Sequence, residues 1–215
     1  MNGPDVAVVD YGNGNLLSVR RGLEHCGAAV ALTADPAAIL AAPRVVLPGV
    51  GAFGNGMAQL CQLGLDEVVR EVASKGTPLL GICLGMQMLL DESEEFGRTA
   101  GLGLIPGRVV AIPTVTADGQ LQKIPHIGWS ALNLSRGRET WNATLLKTVR
   151  PGEAAYFVHS FMADPIHQDH RVADCWYGGR AVTAAIGKEN VFGCQFHPEK
   201  SGEVGLRVLR QFLSL

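Results

Sequence analysis

Gly81-Ile82-Cys83-Leu84-Gly85 sets a cysteine between two glycines, where the apolar run Thr77–Ile82 meets a helical pattern starting at Leu84. A tight strand-to-helix turn forces its central residue toward strained backbone angles. Glycines two before and two after remove side chains that would clash. The cysteine then projects above the C-terminal edge of a sheet, where open α/β folds bind ligands. The helix start beneath it favours thiolate over thiol. The chemistry expected of Cys83 is nucleophilic attack.

A cysteine nucleophile needs a base, and the base needs an orienting group. His197-Pro198-Glu199 follows the apolar run Val191–Phe196. Pro198 disfavours helical angles at His197. In an extended segment, residues two apart project to the same side. Glu199 can therefore hold one ring nitrogen of His197 and leave the other for Cys83. Pro48-Gly49-Val50-Gly51 is a loop poor in side chains, so its backbone N–H groups can approach a ligand closely. The Val50 N–H and the Leu84 N–H are the candidate oxyanion donors. Gly49 tolerates positive φ, so the peptide plane between Gly49 and Val50 can rotate. The expected resting state has the Val50 N–H turned away from Cys83 until a partner docks. His167-x-x-His170 has metal-like spacing, but with no third ligand nearby it reads as a surface loop.

The elements that must hold these groups alternate through residue 91. Asp5–Asp10, Ala28–Thr33, Arg44–Leu47 and Pro78–Ile82 read as strands. Leu16–Glu24, a short helix opened by Asp35-Pro36, Leu65–Lys75 and Leu84–Asp91 read as helices. That order predicts a parallel sheet with helices on both faces. The second half is richer in strands: Arg108–Pro113, Gln120–Ile124, Trp129–Leu134, Ala155–Phe161, Arg171–Tyr177, Ala181–Gly187 and Val191–Phe196. Gly178-Gly179 forms a hairpin loop and Glu203–Leu213 a closing helix. The expectation is one α/β domain, residues 1–215, built on an open, mostly parallel flavodoxin-like sheet with a partly antiparallel second half.

Composition narrows the function classes. Of 215 residues, 47% are hydrophobic and 18% charged, a globular balance. Lys plus Arg number 18 against 20 for Asp plus Glu, so no basic excess argues for nucleic acid. The long charge-free stretch Val45–Leu65 is interrupted by Pro48 and several glycines, so no membrane span is expected. The beginning of the chain has no cationic segment ahead of an apolar core. The five cysteines, Cys26, Cys61, Cys83, Cys175 and Cys194, contain no CxxC pair. They read as reduced, mostly buried thiols of a cytoplasmic protein, with Cys26 and Cys61 in helical segments and Cys194 in the core.

Five segments in this order resemble the class I (triad) glutamine amidotransferases. They are Asp10–Leu16, Pro48–Phe53, Gly81–Gln87, Pro125–Trp129 and Gln195–Ser201. Within that family the resemblance is closest to the glutaminase subunits of imidazole glycerol phosphate synthases. It implies the family's fold and the hydrolysis of L-glutamine to glutamate and ammonia by Cys83, His197 and Glu199. It also implies a glutamine pocket lined by Gly51, Gln87, Ser160 and Phe161, and neither metal nor organic cofactor. The implied partner is a (β/α)8-barrel cyclase subunit of the HisF type, joined as a heterodimer and fed with ammonia. His126, Ile127 and Trp129 are the expected partner-facing residues, on a loop. Ile127 and Ser130 stand where family members often carry Met and Asn. A paralogous glutaminase supplying ammonia for amidation of a surface-polysaccharide sugar therefore stays open. A Cys-elbow hydrolase or DJ-1-like stress protein is the more distant alternative.

Overall fold

Short runs rich in valine and leucine, apolar on both faces, form the centre of the sheet. The computed structural model describes residues 3–215. In it, β1 (Val6–Val9) is fully buried and is followed by α1 (Leu16–His25), β2 (Val30–Thr33), α2 (Pro36–Ala41) and β3 (Val45–Leu47). The Asp35 carboxylate accepts from the N–H groups of Ala37 and Ala38 and caps α2, whose first residue is Pro36, as the sequence pattern requires. Next come α3 (Phe53–Gln62), α4 (Leu65–Ser74), β4 (Leu79–Ile82) and α5 (Leu84–Met88).

The second half contributes β5 (Leu90–Ser93), β6 (Thr99–Ala100), β7 (Ile105–Ala111), β8 (His126–Ala131) and β9 (Asn133–Leu134). Then follow β10 (Ala154–His159), β11 (Phe161–Pro165), β12 (Arg171–Tyr177), β13 (Arg180–Lys188), β14 (Val191–Cys194) and α6 (Gly202–Leu213). The main sheet has the order β2-β1-β3-β4-β14-β13-β12-β9. Its first five strands are parallel, which is the flavodoxin-like order, and the last three continue it antiparallel.

Alternation along β1 shows the layers. Val6 and Val8 pack on one face with Val19, Leu23, Leu209 and Phe212 of α1 and α6. Ala7 and Val9 pack on the other with Ile39, Leu60 and Val69 of α2, α3 and α4. Two smaller sheets, β10-β8 and β11-β7-β5-β6, complete the second half. No helix among the described residues is long and apolar enough to cross a membrane.

Four expectations need correction. Gln120–Ile124 is a loop, touching the sheet pattern only through a bridge between Val115 and Leu121. The helix after Cys83 ends at Met88, and the apolar residues beyond it enter β5. The strand expected at Ala155–Phe161 breaks at Ser160, where the chain leaves β8 and joins β7. The Trp129–Leu134 strand begins earlier, at His126, so the Pro125–Trp129 segment is largely strand.

Candidate active site

The elbow forms as its glycines demand. Cys83 sits at φ 54°, ψ −110°, a conformation that costs a non-glycine residue on the order of 1–3 kcal/mol. A Cβ on Gly81 would lie 2.7 Å from the carbonyl of Gly85, and one on Gly85 would lie 1.8 Å from the Leu47 carbonyl oxygen. The turn is therefore pressed against the end of β3 with no room for either side chain. The Cys83 N–H donates to the Cys194 carbonyl at 2.8 Å, so β14 continues its pairing with β4 up to the nucleophile.

That pairing delivers the base. His197 lies three residues past the end of β14, is 3% exposed, and donates its backbone N–H to the Tyr156 carbonyl in β10 at 3.0 Å. The Ser201 hydroxyl donates to the His197 carbonyl at 2.7 Å and accepts the Tyr156 N–H at 2.9 Å. His197 Nδ1 lies 2.9 Å from Glu199 Oε1. The reach is as expected, but the route differs. Pro198–Lys200 is a single 3-10 turn, which curls Glu199 back under the ring. Because a carboxylate only accepts, Nδ1 carries the proton and Nε2 is left for Cys83.

Burial opposes a charge on His197. The neighbouring Cys83 and Glu199 side chains outweigh it and raise its pKa to about 9. The folded chain therefore favours the protonated ring. The stability this contributes is fully present below the ordinary value of about 6.5 and is lost as pH rises through about 9. In urea denaturation, the stability advantage of wild type over His197→Asn should shrink by about 1–3 kcal/mol between about pH 6 and pH 10. An advantage that stays constant with pH would show that the ring gains no such stabilisation.

The oxyanion loop is held from below. The buried Tyr11 hydroxyl donates to the Pro48 carbonyl at 2.8 Å. Burial, and secondarily the neighbouring Cys83, push the Tyr11 pKa up, so it stays a donor. A Cβ on Gly49 would meet that hydroxyl at 2.6 Å and Leu84 Cβ at 2.9 Å. Gly49 therefore serves close approach, and the positive φ in this loop lies at Gly51, at 87°.

Val50, Gly51, Cys83, Leu84, Gln87, Ser160, Phe161 and His197 all line one cavity of about 300 Å³. Every predicted nucleophile, base, oxyanion and pocket residue except the buried Glu199 borders it. Glu95 and His159 border it too, without having been singled out. Glu95 also binds the Phe53 N–H at 2.6 Å, at the start of α3.

Gln195 is the functional residue that sequence reasoning missed. Gln87 Nε2 lies 3.0 Å from the Phe161 carbonyl, which can only accept, so that atom is the amide nitrogen. The same nitrogen is 3.0 Å from Gln195 Oε1, which must then be the oxygen. The remaining Gln195 nitrogen stands 3.7 Å from Cys83 Sγ. Two amides anchored on a carbonyl thus aim a donor at the nucleophile.

The expected partner-facing residues divide. Ile127 and Trp129 are 53% and 58% exposed on β8. His126 points the other way and is buried at 2%, so it cannot belong to an exposed surface. Strand alternation is the reason: residues 126 and 127 face opposite sides. Trp129 is paired with Tyr156 across β8 and β10, ring centroids 6.1 Å apart. Of the cysteines, Cys175 and Cys194 are buried as expected; Cys26 is intermediate and Cys61 exposed, its helix position facing outward.

The sequence matches the family model for class-I glutamine amidotransferases over residues 7–214. It is 52% identical over 210 residues to imidazole glycerol phosphate synthase subunit HisH 1 of Legionella pneumophila strain Lens, covering 98% of this chain and 99% of that protein. It is 46% identical to subunit HisH of a Geobacillus species, strain WCH70, covering 98% and 96%. Among solved structures, a glutamine amidotransferase superposes with a TM-score of 0.72 at 16% identity, covering 98% of this chain and all of that one. PurLQS from Thermotoga maritima superposes with a TM-score of 0.71 at 20% identity, covering 99% of each chain. At those identities the two structures speak for the fold.

Proposed function

The chain belongs to the class-I glutamine amidotransferase family, and from that premise we propose that it is the glutaminase subunit of an imidazole glycerol phosphate synthase. The observation that carries the chemistry is the alignment of Cys83, His197 and Glu199 at a cavity also bordered by Val50, Leu84 and Gln87. Relatives named HisH at up to 52% identity over nearly the whole chain support the pathway.

The Cys83 thiolate attacks the side-chain amide carbon of glutamine. The Val50 and Leu84 N–H groups hold the oxyanion. Protonated His197 donates to the leaving nitrogen, which departs as ammonia. It then takes a proton from water, which hydrolyses the γ-glutamyl thioester. Glu199 holds the ring in one tautomer throughout. Gly51, Gln87, Ser160 and Phe161 line the pocket for glutamine. No step calls for a metal or an organic cofactor.

Ammonia released into bulk water is lost to protonation and dilution, so the site should open onto a partner. The partner is a (β/α)8-barrel cyclase subunit, and the outer face of β8, with Ile127 and Trp129, is the surface offered to it. Aromatic residues are favoured anchors in such interfaces. On this reading residues 1–215 are one glutaminase domain, working in the cytoplasm, where thiols stay reduced.

The test combines the purified chain, its cognate barrel subunit, glutamine and the phosphoribulosyl aminoimidazole carboxamide nucleotide. Imidazole glycerol phosphate should form, and glutamine hydrolysis should rise when barrel and nucleotide are both present. Trp129→Ala should weaken barrel binding by about tenfold or more, as read by calorimetry. Hydrolysis without that product would favour the sugar-amidating paralogue. Unchanged binding would remove Trp129 from the interface.

A further inference from the structure

Besides His197, a pair of buried histidines lies between the outer strand and the pocket. His126 Nδ1 is 3.0 Å from His159 Nε2, and His126 Nε2 is 2.9 Å from the Ser130 hydroxyl. His159 Nδ1 is 2.8 Å from the Phe161 carbonyl. The carbonyl can only accept, so His159 carries its proton on Nδ1. Its Nε2 is then bare and accepts, which puts the His126 proton on Nδ1. His126 Nε2 is bare in turn and accepts from the Ser130 hydroxyl. One direction of donation runs from Ser130 through both rings to Phe161.

Both rings are kept neutral by their surroundings. Burial lowers the His126 pKa. Burial holds His159 near 3, against the hydrogen bond to Phe161 and with help from His126 and His197. The His126 ring is also fixed flat, 4.2 Å from Tyr177 and 5.1 Å from Phe157 between ring centroids.

The end of this chain is the pocket wall. His159, Ser160 and Phe161 line the cavity, at the point where the chain crosses from β10 to β11. The Phe161 carbonyl that takes the His159 proton also takes the Gln87 amide. The start of the chain is β8, whose opposite face exposes Ile127 and Trp129.

We infer that His126 is a positioning residue for glutamine: through His159 it fixes the 159–161 wall of the pocket, and it ties that wall to the strand facing the partner. This rests on the glutaminase reading above. It assigns His126 a role inside the chain in place of one at its surface.

His126→Phe keeps the stacking on Tyr177 and Phe157 and removes both ring nitrogens. In the complex with the barrel subunit, it should raise KM for glutamine about tenfold or more and change kcat less than about threefold. His126→Asn puts an amide N–H where Nδ1 stood, and should bring KM back to within about threefold of wild type. A KM unaffected by His126→Phe, or an asparagine variant as poor as the phenylalanine one, would overturn the inference. Nitrogen-15 imidazole spectra of the wild-type chain test it without any variant. Both histidines should be neutral Nδ1–H tautomers at neutral pH, and an Nε2–H signal from either would overturn it. If wild type and barrel together hydrolyse no glutamine, the functional reading fails and the positioning of glutamine with it, while the tautomers decide whether His126 is tied through His159 to the 159–161 wall.

Discussion

Replacing Cys83 with alanine should lower glutamine-dependent turnover of the complex by about 10⁴-fold or more, while synthesis from added ammonium stays within about threefold of wild type. The reason is the division of labour. On the proposed function Cys83 makes ammonia and takes no part in using it; its side chain borders a cavity formed by this chain. Alanine keeps the Cβ that Cys83 already carries at φ 54°, so the elbow takes on no new backbone strain. The assay follows imidazole glycerol phosphate with either nitrogen source. Failure of ammonium to rescue the variant would overturn the division. His197→Ala should behave alike. Glu199→Gln should be milder, because Glu199 orients the ring and carries no proton in the reaction.

Gly85→Ala should cost more than about 4 kcal/mol of stability, or prevent folding, although it adds only one methyl group. The added Cβ would lie 1.8 Å from the Leu47 carbonyl oxygen and 2.8 Å from its carbon. Both are backbone atoms of β3, an inner strand, and cannot move aside without breaking its pairing with β4. Gly54→Ala is the control. There the nearest atom to the new Cβ is Thr99 Oγ1 at 3.6 Å, and the site is helical. That variant should stay within about 1 kcal/mol of wild type. Urea denaturation of both decides it. Comparable stabilities would mean that the elbow is not wedged against β3 as described.

Short-range pattern carried most of the site. The strand, the glycines and the helix start around Cys83 are contiguous, so the elbow is written in five residues. The turn at His197 is likewise local, although its 3-10 form was not legible. Gln195 was not legible because nothing near it in the sequence says that β14 lies beside β4; only that pairing brings its amide to Cys83. His126 was misread for a simpler reason. Pro125–Trp129 taken as a loop hides its two-residue period, and the same period puts His126 opposite Trp129. α3 was obscured by Gly54 and Gly56, poor helix formers. Gly56 is there for packing: a Cβ would meet Leu84 at 2.9 Å. The Gln120–Ile124 loop is held by bonds to its own flank and to the β12–β13 hairpin, including Gln122 to the Pro113 carbonyl and Tyr177 to the Lys123 carbonyl. Such bonds leave no periodic trace.

β14 lies between β4 and β13, yet it is the last strand in the order of the chain. Gln195 and Cys83, which touch, are 112 residues apart. During synthesis β1 to β4 leave the ribosome before β14, and because a domain folds as a unit the sheet cannot close until that strand arrives. The growing polypeptide then carries its thiol on an open sheet edge, with neither imidazole nor carboxylate beside it. Insertion of the final strand closes that edge and arms the cysteine in one event. On the proposed function, a chain cut before β14 should therefore hydrolyse no glutamine, and the onset of hydrolysis should mark completion of the sheet.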